Sequence, residues 1–166
     1  MRVQMDIERV HTDAKKGEVT ITLKWKVDTD LDLYCVVNNE ISPKDTTIYY
    51  SSFKDPRKTP CGGMLDVDMI SRRHWKTDCA IENIFWTTAP RGRYTIYVHN
   101  CSGRVTTPFE LSVLGGGEDE YGRLMIKNWK SLVSPTDGSD RKMKVCDFEF
   151  VTKRDKLVWH YERPQP

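Results

Sequence analysis

The sequence is short of most things that would assign it an activity at sight. It has no C-x-x-C pair, no H-E-x-x-H helix and no G-x-S-x-G elbow. A zinc ribbon, a thioredoxin-type redox site, a zincin and an α/β-hydrolase are therefore not expected. No stretch approaches the 18 apolar residues of a membrane helix, so no membrane span is expected. Met1–Glu8 alternates apolar and polar residues and does not resemble a signal peptide, which favours a cytoplasmic location or assembly into a particle. Charge of one sign is also lacking. Lys+Arg total 26 against 24 for Asp+Glu, and the resulting +2 argues against a dedicated nucleic-acid binder. Long helical periodicity is absent too.

What the chain has is period-2 alternation. In Val19–Val27, Val19, Ile21, Leu23, Trp25 and Val27 share one face, while Thr20, Thr22, Lys24 and Lys26 share the other. That predicts a half-buried strand, and the pattern runs on through Leu31, Leu33, Cys35 and Val37. Further strands are expected at Thr46–Ser52, Met64–Met69, Asn83–Trp86, Arg93–Asn100, Thr107–Leu114, Arg123–Lys127, Met143–Val151 and Lys156–Tyr161. Turn signals separate them, among them Cys61-Gly62-Gly63, Pro90-Arg91-Gly92 and the Gly115–Asp119 loop. About nine short strands at this spacing predict an all-β antiparallel sandwich, jelly-roll or immunoglobulin-like, forming a single domain over 166 residues. A chain of that length buries a core without metal or disulfide. The five cysteines are odd in number and widely spaced, and are expected to be reduced and structural.

The acids are the unusual feature. Asp28, Asp30 and Asp32 fall on one side if they share a strand, as do Asp66 and Asp68, and Glu82 follows. Clustered carboxylates repel unless something offsets them. Calcium, which takes six to eight oxygen ligands, is one solution, with Asp28, Asp30, Asp32, Asp66, Asp68 and Glu82 as the candidate ligands. Pairing with Arg72, Arg73 or Arg91 is a second, and a plain solvated face is a third. The spacing does not fit an EF-hand loop.

Four ordered motifs resemble the YfaP-like family of uncharacterised bacterial domains. They are Asp28-Thr29-Asp30-Leu31-Asp32-Leu33, Gly62-Gly63-Met64-Leu65-Asp66-Val67-Asp68, Glu82-Asn83-Ile84-Phe85-Trp86 and Ala89-Pro90-Arg91-Gly92-Arg93-Tyr94-Thr95-Ile96-Tyr97-Val98. The resemblance covers about residues 19–151, leaving a C-terminal strand and tail at 152–166. It implies a β-sandwich and brings no established activity. Tyr34 stands where the family pattern often has His. Cys79-Ala80-Ile81 replaces a glycine-rich lead, and the basic Arg72–Thr77 segment offers cations to the acids in place of a metal.

Among other candidates, Trp75 and Trp129 lie near lysines and are read as aromatics for a protein or sugar contact, with Arg72 and Arg73 beside the first. His99 closes a strand and is read as a strand-end hydrogen-bonding residue. The acids following Gly115-Gly116-Gly117 would repel a phosphate. The expected function is thus a non-enzymatic interaction or structural module of a larger assembly, such as a virion or cell-surface complex, whose partners are other protein subunits. A calcium-dependent carbohydrate-binding domain is the alternative, with glycans as ligand, and a glycan hydrolase ranks last.

Overall fold

The computed structural model describes residues 19–26, 29–39, 46–49, 61–68, 79–101, 105–118, 124–134, 142–151 and 156–166. Ten strands lie within them. They are β1 (Val19–Trp25), β2 (Leu31–Asn39), β3 (Thr46–Ile48), β4 (Met64–Asp68), β5 (Ala80–Trp86), β6 (Gly92–Asn100), β7 (Pro108–Glu118), β8 (Leu124–Val133), β9 (Met143–Val151) and β10 (Lys156–Glu162). They form two five-stranded sheets, ordered β4-β5-β1-β7-β8 and β10-β9-β6-β2-β3, packed as a sandwich. Neighbouring strands are antiparallel throughout.

The core is the sum of the inward positions. Val19, Ile21, Leu23 and Trp25 meet Leu31, Leu33, Cys35 and Val37 of the other sheet in one buried cluster. Tyr94 sits among its aromatics, edge-on to Trp86 and stacked on Phe148, with ring centroids 5.1 Å apart in each pair. Such pairs add about 0.5–1.5 kcal/mol beyond area burial. All five cysteines are free thiols, and only Cys101 is exposed.

The sequence pattern misleads in three places. Alternation does not run unbroken from β1 into β2: the chain leaves the first sheet after Trp25 and enters the second at Leu31. Asp30 and Asp32 are therefore not neighbours on one strand face. Nor is β1 half-buried, because Thr20, Thr22 and Lys24 are within the protein as well. Thr22 Oγ1 there donates to Asn83 Oδ1 at 2.7 Å, which satisfies both groups away from water. Finally, Gly115-Gly116-Gly117 is not a loop but belongs to β7, whose ladder resumes at Glu118 opposite Leu124 after an irregular stretch.

Strand β8 also runs further than its pattern allows. Trp129 and Leu132 are three residues apart yet both buried, which a regular period-2 strand forbids. The register slips between Leu111–Trp129 and Phe109–Leu132, and Ser131 takes φ 59° there. This bulge adds the residue that turns both side chains inward.

Candidate metal centre

One end of the sandwich gathers the chain crossings. β1 ends and β2 begins there, as do β6 and β7, and β8 finishes beside them. A polar knot holds these crossings together. Trp25 Nε1 donates to the carbonyl of Thr29 at 2.8 Å, and Thr29 Oγ1 lies 2.7 Å from Thr107 Oγ1. Thr107 N donates to Ser134 Oγ at 3.1 Å, and Ser134 N returns a bond to Thr107 O at 3.1 Å. Asn100 Nδ2 donates to Val105 O at 2.9 Å and to Ser134 Oγ at 3.0 Å. Thr29, Asn100, Thr107 and Ser134 are all buried, so each bond also avoids an unsatisfied polar group, a loss of about 1–3 kcal/mol.

The knot places five donor side chains. Asp32 opens β2 directly opposite His99 near the end of β6, so the two share the outer face of their sheet. Cys101 follows where β6 stops, and its N–H donates to the Asp30 carbonyl at 2.9 Å. Its Sγ lies 2.5 Å from Asp32 Oδ2 and 3.3 Å from His99 Nδ1. Glu82 arrives from the first sheet. It pairs with Leu23 on the core-facing side of β5, is 1% exposed, and its Oε2 accepts from Leu33 N at 2.7 Å. That bond ties β2 to the first sheet.

Two donor groups result, each with its atoms within 4.8 Å of one another: Asp30–Asp32–Glu82, and Asp32–His99–Cys101. They share Asp32, which is 6% exposed. The first is a hard, all-oxygen set suited to calcium. The second mixes oxygen, nitrogen and sulfur and suits zinc. Cys101 beside His99 also has the composition of a thiol nucleophile and its base. Burial, reinforced by the hydrogen bond to Asp32, pushes the Cys101 thiol well up, opposite to what an attacking thiolate requires.

The sequence candidates divide accordingly. Asp30, Asp32 and Glu82 come together. Asp28, Arg72, Arg73 and Trp75 lie outside the described residues. Asp66 and Asp68 are described in backbone only: Asp68 pairs with Glu82 across β4 and β5, and a bulge between Leu65 and Val67 takes Asp66 out of the ladder. Arg91 does not serve the acids. It precedes the opposite end of β6, about 30 Å away at strand spacing, with its guanidinium 4.4 Å from the centre of the Phe150 ring. Trp129 does not offer a surface ring. It is 1% exposed and packs against Trp159 at 5.5 Å between centroids. His99 and Cys101 were missed as metal donors. The signal was the His-x-Cys spacing at a strand end, which puts two side chains on one side of an extended chain.

No protein-family model matches the chain, and neither a curated protein nor a solved structure is found to be similar to it.

Proposed function

We propose that this domain is a non-enzymatic interaction module of a larger protein assembly, engaging a protein partner through the outer face of the β10-β9-β6-β2-β3 sheet. The observation that carries this is the asymmetry of the sandwich. Strands β1 and β5 are buried along both faces, whereas the outward positions of β2 after Asp32, and those of β6, stay half-buried or exposed. That outward face carries tyrosines, which interfaces favour. Tyr34 lies opposite Tyr97 and stacks on Tyr49 at 5.4 Å. Lys142 sits 4.6 Å over the Tyr34 ring and Lys144 5.0 Å over Tyr161. Arg93 forks onto Asp147 with two bonds of 2.8 Å, which ties β6 to β9. A photo-crosslinking residue at position 97 tests the reading against one at position 112 on the other sheet. A discrete adduct at 97 alone, lost with Lys144→Glu, is expected. Equal adducts at both positions, or none together with a strictly monomeric chain, would refute it.

One observation favours a second reading, calcium-dependent glycan binding. The stacked Tyr34–Tyr49 pair lies beside His99, which in turn faces Asp32 of the carboxylate set. Calcium held by Asp30, Asp32 and Glu82 would fix sugar hydroxyls while the aromatic pair contacts the sugar. An unchanged melting curve between calcium and chelator removes this reading.

A further inference from the structure

We infer that Asp32, His99 and Cys101 form a zinc-class metal site with a fourth coordination position left open. Three independent side-chain types converge there, one oxygen, one nitrogen and one sulfur, all within 4.8 Å of one another. One of the two separations at Cys101 already meets what the ion demands. Tetrahedral zinc with bonds of about 2.0–2.3 Å needs ligand atoms about 3.5 Å apart. Cys101 Sγ and His99 Nδ1 stand at 3.3 Å. Cys101 Sγ and Asp32 Oδ2 stand at 2.5 Å, joined by the thiol hydrogen, and separate by about 1 Å when a metal replaces that proton. The proton leaves to solvent and the sulfur binds as thiolate.

The supports for the three donors are already fixed. Asp32 and His99 are opposed by the β2–β6 register, and the Cys101 backbone is tied to the Asp30 carbonyl at 2.9 Å. The Tyr34 ring packs edge-on against the imidazole at 6.4 Å between centroids. A metal so held rests on two sheet strands and one tied loop residue, which is the rigid footing a site requires. Cys101 is exposed and His99 half-buried, so the set lies within reach of solvent on their side. Three protein ligands leave tetrahedral zinc a fourth position for water or for a donor from a partner.

Calcium and magnesium select oxygen donors and so favour the carboxylate set, competing with this one only through Asp32. The carboxylate set uses Glu82, and this set does not, so the two are separable by mutation while Asp32 makes them mutually exclusive.

Cobalt(II), a spectroscopic stand-in for zinc, tests the inference on the reduced 166-residue chain. One equivalent is expected to give visible bands of tetrahedral intensity and a near-ultraviolet thiolate-to-cobalt band, both abolished by zinc. Cys101→Ser should remove the thiolate band, with Cys101→Ala as a second variant. His99→Ala should weaken binding by more than the roughly 10–100-fold that outer-sphere changes cost. Glu82→Gln should leave the cobalt spectrum intact. Only weak octahedral bands, or a thiolate band that survives loss of Cys101, would overturn the assignment. Failure of the calcium response alone would bear on the carboxylate set and leave this one standing.

Discussion

Glu82→Gln separates a carboxylate cluster that binds a cation from one that merely supports the fold. The amide keeps the shape and still accepts from Leu33 N, so little packing changes. Two unit charges 4.8 Å apart at an effective dielectric of 20 repel by about 3.5 kcal/mol, and the substitution removes two of the three such pairs among Asp30, Asp32 and Glu82. Against this, the bond to Leu33 N weakens from a charged to a neutral one, a loss of about 1 kcal/mol. Solvent at half-buried Asp30 screens much of the repulsion, which leaves a net stabilisation of about 2 kcal/mol without cation. For a chain of this length that is about 4–8 °C in Tm. Calcium at a hundredfold excess over Kd instead stabilises the wild type by about 2.7 kcal/mol and leaves the Gln variant unmoved. Differential scanning calorimetry should therefore show the two proteins exchanging rank between chelator and calcium. A Gln variant that melts below the wild type in chelator would refute the repulsion argument. Parallel shifts of both proteins in calcium would refute the ligand role.

Other outcomes follow from the same contacts. Gly63→Ala should lower stability by about 1–3 kcal/mol in urea unfolding, because an added Cβ would lie 2.6 Å from Trp86 ring atoms and 2.7 Å from Ile48 Cδ1. Trp86→Phe in the same chain should recover part of that loss, and an undiminished penalty would contradict the steric cause. Asp147 is held below the ordinary carboxylate range, first by the Arg93 hydrogen bond and then by Lys144, against an opposing contribution from burial. Its stabilisation is complete above the unfolded value of 3.8 and is lost as pH falls through the lower folded value. The stability gap between wild type and Asp147→Asn should therefore narrow below about pH 4, and a constant gap would be the contrary result. Trp129→Ala should cost about 3–5 kcal/mol in chemical denaturation, as expected of a buried indole and not of a surface contact.

The sandwich was legible because most strands obey the period-2 rule, and Val19–Trp25 and Arg93–Asn100 do so without exception on their core faces. The errors arose where a strand is interrupted by something the alternation cannot report. Ser131 is an ordinary residue in sequence, and only its left-handed backbone angle reveals the bulge that buries Trp129. Gly62 and Gly63 read as a turn, yet they do different work. Gly62 takes φ 76°, while Gly63 is needed because Trp86 occupies the space a side chain would fill. Asp30, Asp32 and Glu82 were legible as acids too dense for a sheet, but not as members of opposite sheets. His99 and Cys101 were not, since a lone His and a lone Cys have more common structural roles.

The site's position follows from the break in alternation between Trp25 and Leu31. Had β1 continued as a strand, Asp30 and Asp32 would have stayed in the first sheet, with His99 and Cys101 in the second. By changing sheets there, the chain puts Asp32 opposite His99 and brings Asp30 against Cys101. Glu82 reaches the same place because it lies at the β5 end beside that crossing and spans to β2. Both donor sets are thus products of one topological step, and the Trp25–Thr29 and Thr29–Thr107 bonds hold that step in place. Thr107→Val, nearly isosteric, tests the dependence. It removes the hydroxyl that meets Thr29 without opening a cavity, and should weaken cobalt and calcium binding together while touching no ligand. Loss of stability with unchanged affinity for both ions would show that the donors are placed by the strands alone.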